Sequence, residues 1–210
     1  SLKSIIIPDS VKAIGSSAFY GCSALVEVKI EANVETLETM VFSKCSSLKE
    51  IIIPESVKTI GLYVFSECDN LKKVELGKNI ETIGDECFEN CSSLETIKIP
   101  DSVKAIGSCA FYGCKRLTDV TLPSSLTVIE ESLFCDCSNL EKVKIPETVT
   151  EIEGMAFAAC VKLKNISLPD SVETIGDGAF YNCKSQETFK IPENVTCINV
   201  GTFEQCTALV

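Results

Sequence analysis

Phenylalanine recurs at Phe19, Phe42, Phe65, Phe88, Phe111, Phe134, Phe157, Phe180 and Phe203, an unbroken interval of 23 residues. A cysteine follows each one three positions later, from Cys22 to Cys206. Nine units pass without an insertion or deletion. A period held that strictly makes each unit one coil stacked on the next, because a gained residue would throw every later column out of register.

Counted from Leu2 as position 1, a typical unit reads Leu-x-x-Ile-x-Ile-Pro-x-Ser-Val-x-x-Ile-Gly-x-x-Ala-Phe-x-x-Cys-x-x. The Ile-x-Ile step, as in Ile5 and Ile7 or Ile97 and Ile99, has the period of two and the β-branching of a half-buried strand. Proline at seven of the nine position-7 sites, from Pro8 to Pro192, closes that strand, since it has no amide hydrogen for a ladder. A second apolar pair, such as Val11 and Ile14, returns the chain, with or without another short strand. Ala18-Phe19 and its equivalents are expected to fill the convex side through tight turns or short 3₁₀ pieces. Position 14 is glycine in five units, but Glu38, Glu130 and Glu153 argue against a required positive φ there.

This pattern resembles the leucine-rich repeat family and, within it, the BspA-like (treponemal-type) class, along the whole chain. The resemblance implies a repeat solenoid with a right-handed coil and one stacked parallel β-sheet. Its nine units, residues 2–208, form a single domain over 1–210, roughly 38 Å along the stack at about 4.8 Å per coil. Ser10, Asn33, Ser56, Asn79, Ser102, Ser125, Thr148, Ser171 and Asn194 occupy the inward polar column of that family, where they are expected to bond backbone groups at the bend. Departures are local: Glu31 and Gly77 replace proline, Gln186 the leading leucine and Phe189 the following isoleucine. The seam between the last two units is therefore expected to be the least regular. With no initiator methionine and no polar cap, the chain is read as a fragment of a longer protein. Residues 7–16 recur unchanged at 99–108, a duplication suited to a surface whose length matters more than any single residue.

Histidine is absent, which removes the commonest general base, the Ser-His and Cys-His nucleophile pairs and most catalytic zinc sites. Phosphate-binding glycine loops are missing too, so no enzyme activity and no cofactor or metal is expected. A net charge of −11 disfavours nucleic acid and anionic membrane. No apolar run approaches membrane-spanning length, and residues 1–10 lack a basic-then-apolar signal pattern. Of thirteen cysteines, nine belong to the repeat. Neighbours in that column lie close enough for disulfides, yet a row of small buried hydrophobes is the simpler reading. A Cys87–Cys109 contact across neighbouring coils is the one other pairing considered. Asn90, Asn165 and Asn194 begin glycosylation triplets, which are set aside because chance supplies them and Asn194 is expected to point inward.

Positions 2, 3 and 5 should line the concave sheet. Those sites hold ten lysines and seven acids, a surplus of three positive charges, whereas the rest of the chain has nine basic and 23 acidic residues. Lys29, Lys49, Lys72, Lys73, Lys98, Lys142, Lys144 and Lys190 are the candidate ligand-binding residues, facing an acidic protein or glycan surface. The rival reading of the same face is a solvated sheet with neutralising cross-strand pairs. Tyr20, Tyr112 and Tyr181 either anchor a partner on the convex edge or pad it. The resemblance implies a protein-binding module of a cell-surface or secreted adhesin, with host matrix or cell-surface proteins as ligands. A structural spacer or an intracellular scaffold are the alternatives.

Overall fold

The computed structural model describes residues 2–164 and 166–210. Parallel strands stack in two columns to give a β-solenoid, and among the described residues there is no helix. The first column contains β1 (Ser4–Ile7), β2 (Glu27–Ile30), β4 (Glu50–Ile52), β6 (Lys73–Glu75), β8 (Thr96–Lys98), β10 (Asp119–Thr121) and β12 (Lys142–Lys144). The second contains the two-residue strands β3 (Thr36–Leu37), β5 (Thr59–Ile60), β7 (Thr82–Ile83), β9 (Ala105–Ile106), β11 (Val128–Ile129), β13 (Glu151–Ile152) and β14 (Thr174–Ile175). The return segment thus does form a second short strand. Register advances by one unit per strand, as in Ile5 opposite Val28 and Val120 opposite Val143.

Alternation places Val28, Ile51, Val74, Ile97 and Val120 inside and their neighbours in solvent. The seven internal phenylalanines, Phe42 to Phe180, are fully buried. All nine rings stack face to face, with centroids 5.3–5.8 Å apart along the column. Offset stacking at this spacing adds to the area each ring buries.

Both sheets are interrupted, each at a departure from the repeat. Where Glu31 replaces proline, its amide donates to the Ile7 carbonyl at 2.9 Å, a bond proline cannot make. β1 and β2 are accordingly four residues long, and no ladder joins β2 to the adjacent β4. In the second column, Gly61, Gly84, Gly107 and Gly176 each donate an amide hydrogen to the preceding coil at 2.8–2.9 Å. None of these has positive φ. A Cβ on Gly61 would lie 2.9 Å from the Leu37 carbonyl oxygen, and one on Gly84 2.7 Å from the Gly61 carbonyl carbon. Close approach of the neighbouring coil is thus what demands glycine at this position. Glu130 breaks the rule, and no ladder joins β9 to β11. Glu153 also breaks it but keeps its bond to Ile129, with Gly154 immediately after.

The convex segment consists of successive turns and no 3₁₀ helix is present among the described residues. Positive φ falls there at two positions per unit: the series from Ser17 to Gly201 and that from Gly21 to Gln205. Amides at both positions, and at the phenylalanine between, donate to carbonyls of the following coil. These 24 bonds of 2.7–3.1 Å run from the first unit to the ninth without a gap. The continuous spine of the molecule is therefore a ladder of turns, and the two sheets are its shorter partners.

The cysteine column adds a side-chain ladder. Each thiol from Cys45 to Cys206 donates to the carbonyl of the phenylalanine 26 residues earlier, at 3.1–3.3 Å. All thirteen cysteines are free thiols, with Cys87 buried and Cys109 partly exposed. The inward polar column uses two patterns. Ser102, Ser125, Thr148 and Ser171 donate hydroxyls to the position-10 carbonyl of the preceding coil at 2.6 Å. Asn79 and Asn194 donate amides to the position-8 carbonyl at 2.9 and 2.8 Å. Contrary to expectation Asn194 is exposed, because only its Nδ2 reaches back to the backbone. Asn165 lies outside the described residues. In the last unit, among the described residues, no main strand forms, and Phe189 meets Phe180 and Phe203 edge-on while Gln186 is buried.

Candidate functional site

The strand face displays what the first column leaves outside its core. Lys29 stands on β2, Lys73 on β6, Lys98 on β8, and Lys142 and Lys144 on β12. Lys49 and Lys72 directly precede β4 and β6, and Lys190 lies where the last unit has no strand. All eight are exposed. They stand in ordered rows, since β10 carries Thr121 between Lys98 and Lys144 in register.

Pairing divides them. Lys29 meets Glu31, just past the end of β2, at 2.6 Å and Lys73 meets Glu75 at 2.5 Å, each two residues further along the extended chain and therefore on the same face. In both cases the hydrogen bond to the carboxylate, followed by its charge, raises the lysine pKa. Lys190 lies 3.8 Å from Asp170. Among the described residues, no carboxylate stands at ion-pair distance from Lys49, Lys72, Lys98, Lys142 or Lys144. The expected neutralisation is thus partial, and it runs along strands more than across them. Asp119 opposite Lys142 and Glu50 opposite Lys73 are the cross-strand neighbours of opposite charge.

Three shallow depressions of about 480–490 Å³ lie on this side. One is bordered by Lys73, Lys78, Lys98 and Asp101, a second by Lys144, Glu147, Asp170 and Lys190, and the third by Asp119, Glu141, Lys142 and Lys144. Each pairs lysine with carboxylate; Val74, Leu76 and Pro100 make the first the most apolar, whereas Val120 is the single apolar residue bordering the third.

Beyond this face acidic residues predominate. Glu130 and Glu153 occupy the same position in consecutive coils, and the Glu131 amide donates to Glu153 Oε2 at 2.9 Å. Burial, then the Glu153 charge, raises the Glu130 pKa. Of the convex tyrosines, Tyr20 is exposed with Lys44 Nζ 5.8 Å from its ring centre, while Tyr112 and Tyr181 are partly buried. Tyr63, which the sequence analysis did not single out, donates its hydroxyl to Glu86 at 2.8 Å. Among the described residues no cluster of three metal-ligating side chains converges, and no helix is long and apolar enough to cross a membrane.

The sequence matches the family described as BspA type leucine rich repeat region over residues 1–118 and 82–210. No curated protein matches. Among solved structures, a leucine-rich repeat protein of Bacteroides ovatus is 31% identical with a TM-score of 0.78, covering 99% of this chain and 59% of its own. The chain therefore spans less than two thirds of that protein's length. The leucine rich repeat protein of T. pallidum is 30% identical with a TM-score of 0.74, covering 77% of this chain and 78% of its own. The pneumococcal vaccine antigen PcpA is 29% identical with a TM-score of 0.64, covering 92% and 57%. A leucine rich cell surface protein of Faecalibacterium prausnitzii is 26% identical with a TM-score of 0.52, covering 100% and 78%. With both matches together spanning the whole sequence and the coil geometry in agreement, the chain belongs to the BspA-type leucine-rich repeat family.

Proposed function

We propose that this chain is a non-catalytic protein-binding module of a cell-surface or secreted protein, acting in adhesion or recognition through its lysine-bearing strand face. The observation that carries this reading is the row of exposed, unpaired lysines, Lys98, Lys142 and Lys144 foremost, fixed on hydrogen-bonded strands. Such side chains lose little backbone freedom on binding and attract carboxylates, which speeds encounter and selects partners more than it sets affinity. A cell-surface neighbour and a vaccine antigen among the related structures support the location. Host matrix or cell-surface proteins with acidic patches are the partners of choice.

The test is binding to an array of purified extracellular proteins, comparing the parent chain with Lys98→Glu/Lys142→Glu/Lys144→Glu. The parent should capture acidic proteins, with affinity falling as salt rises, and the variant should lose at least roughly tenfold while its melting curve stays in place. Equal capture by both chains would move binding off the lysine face, and capture by neither would replace this reading with that of a spacer.

A further inference from the structure

A second exposed column runs beside the strand face. Position 8 follows position 5 by three residues, just past the proline column, and from the fourth coil to the ninth both positions are exposed. Three of these coils carry lysine and then acid: Lys98 with Asp101, Lys144 with Glu147, and Lys190 with Glu193. The fourth coil reverses the order, Glu75 with Lys78. The sixth and eighth hold Thr121 with Ser124 and Ser167 with Asp170. Among the described residues none of the four charged couples forms an ion pair within its own coil. Glu75, Lys78 and Lys190 reach other coils or positions instead, to Lys73, Glu55 and Asp170. Lys98, Asp101, Lys144, Glu147 and Glu193 have no opposite charge at ion-pair distance at all among the described residues. Yet the columns share their depressions: Glu75, Lys78, Lys98 and Asp101 edge one, and Lys144, Glu147, Ser167 and Asp170 another.

We infer that these two columns pair with those of a second copy of this chain, face to face about a two-fold axis that runs along the stack between them. Rotation about that axis lays position 5 of each copy on position 8 of the other, in the same coil. Every lysine then meets the acid of its own coil in the second copy, Thr121 meets Ser124, and Ser167 meets Asp170. The fourth coil singles out a copy as the occupant. A ligand with one line of acids for Lys98, Lys144 and Lys190 would press an acid onto Glu75, whereas a copy brings Lys78 there. A two-fold axis across the stack would set the lysine column on itself, so charge selects copies that run in the same direction, as neighbours on one surface would. The relation fails in the first and third coils, where Ile6 and Ile52 would meet Asp9 and Glu55, so the contact spans six coils, roughly 24 Å. Exposed ion pairs are individually weak, which makes this a pairing of crowded copies. The inference rests on the strand face being a recognition surface and names its partner.

Two charge variants and their mixture test it by sedimentation velocity at one fixed salt concentration. Lys98→Glu/Lys144→Glu makes both columns acidic in the fifth and seventh coils, and Asp101→Lys/Glu147→Lys makes both basic. The parent should dimerise, and each variant alone should do so at least about tenfold more weakly. An equimolar mixture of the two should form mixed dimers at least as readily as the parent. All four positions are exposed, and unchanged melting curves establish that both variants fold. Each copy carries a net charge of −11, so a mere net-charge effect would tighten the basic variant's own dimer. Such tightening, or a mixture that stays monomeric, would overturn the self-pairing. A monomeric parent that still captures acidic extracellular proteins would overturn it and leave the lysine face standing. A monomeric parent that captures nothing would overturn both.

Discussion

Met40, Tyr63 and Ala159 hold φ at 58°, 58° and 57°, a region where a side chain meets its own backbone. They stay there because their amides must point to the next coil to complete the turn ladder. Glycine already fills the same column as Ala159 at Gly21 and Gly113, so Ala159→Gly should relieve strain and raise stability by about 0.5–1 kcal/mol. Gly113→Ala should lower it by about 1 kcal/mol or more, since a Cβ would also press on the Asn90 side chain. Urea midpoints decide, and a loss in both variants would refute the strain argument. Neither column announces itself in the sequence, because serine, methionine, tyrosine and glutamate fill most of the first, and lysine, glutamate, alanine, glutamine, aspartate and asparagine outnumber glycine in the second. The conspicuous glycine of position 14 marks a different requirement, the closeness of the neighbouring coil. Burial also separates the cysteines: it pushes the Cys183 thiol up to about 12 and holds the Cys114 thiol far above its ordinary value. Under native conditions iodoacetamide should modify the exposed Cys197 and leave the buried Cys68, Cys87, Cys91, Cys114, Cys137 and Cys160 untouched, as peptide mass mapping would reveal. Rapid labelling of those buried thiols would mean that the core opens readily.

Elements are held to different degrees, and the weak places are where a coil departs from its neighbours. The interrupted junction between β9 and β11 coincides with Glu130, whose carboxyl sits against Glu153. A carboxyl with a raised folded pKa keeps its proton to higher pH than in the unfolded chain. Folding is therefore penalised once it ionises, and the penalty disappears as pH falls through the folded pKa toward the ordinary carboxylate range. Stability should accordingly rise as pH falls from 7 toward the ordinary carboxylate range, and Glu130→Gln should show a smaller rise from a higher starting point. A variant with the parent's full pH response would show that the pair does not control this seam. The strand spacing, the proline stops and the irregular last units all follow from the 23-residue pattern. The two internal interruptions do not, since they depend on how one unit's substitution meets the backbone of the unit before it. The lysine face followed from counting columns, but its division into paired and free members did not. Lys29–Glu31 and Lys73–Glu75 form because residues two apart share a strand face, and Glu31 does so from a position the repeat assigns to proline.

At the scale of the whole stack, repetition multiplies small effects. Cys68, Cys87, Cys91, Cys114, Cys137 and Cys160 are fully buried, and burial raises every one of these thiols well above its ordinary value. The folded chain then keeps these protons where the unfolded chain releases them. The unfolded state binds fewer protons above its thiol pKa of about 8.5, so stability falls as pH rises beyond it. One pH unit higher, each thiol costs about 1.4 kcal/mol and the six together about 8 kcal/mol, a magnitude comparable with the whole stability of an ordinary domain. Urea midpoints should therefore hardly move between pH 7 and pH 8 and collapse by pH 9.5. Replacing Cys91 and Cys114 with alanine would weaken the parent at neutral pH, because two thiol bonds to phenylalanine carbonyls and some packing are lost. The same variant should recover about 3 kcal/mol of the alkaline loss. That crossing of two pH profiles is the signature of a column of neutral thiols, and parallel profiles would place the alkaline sensitivity in the tyrosines and lysines of the surface instead.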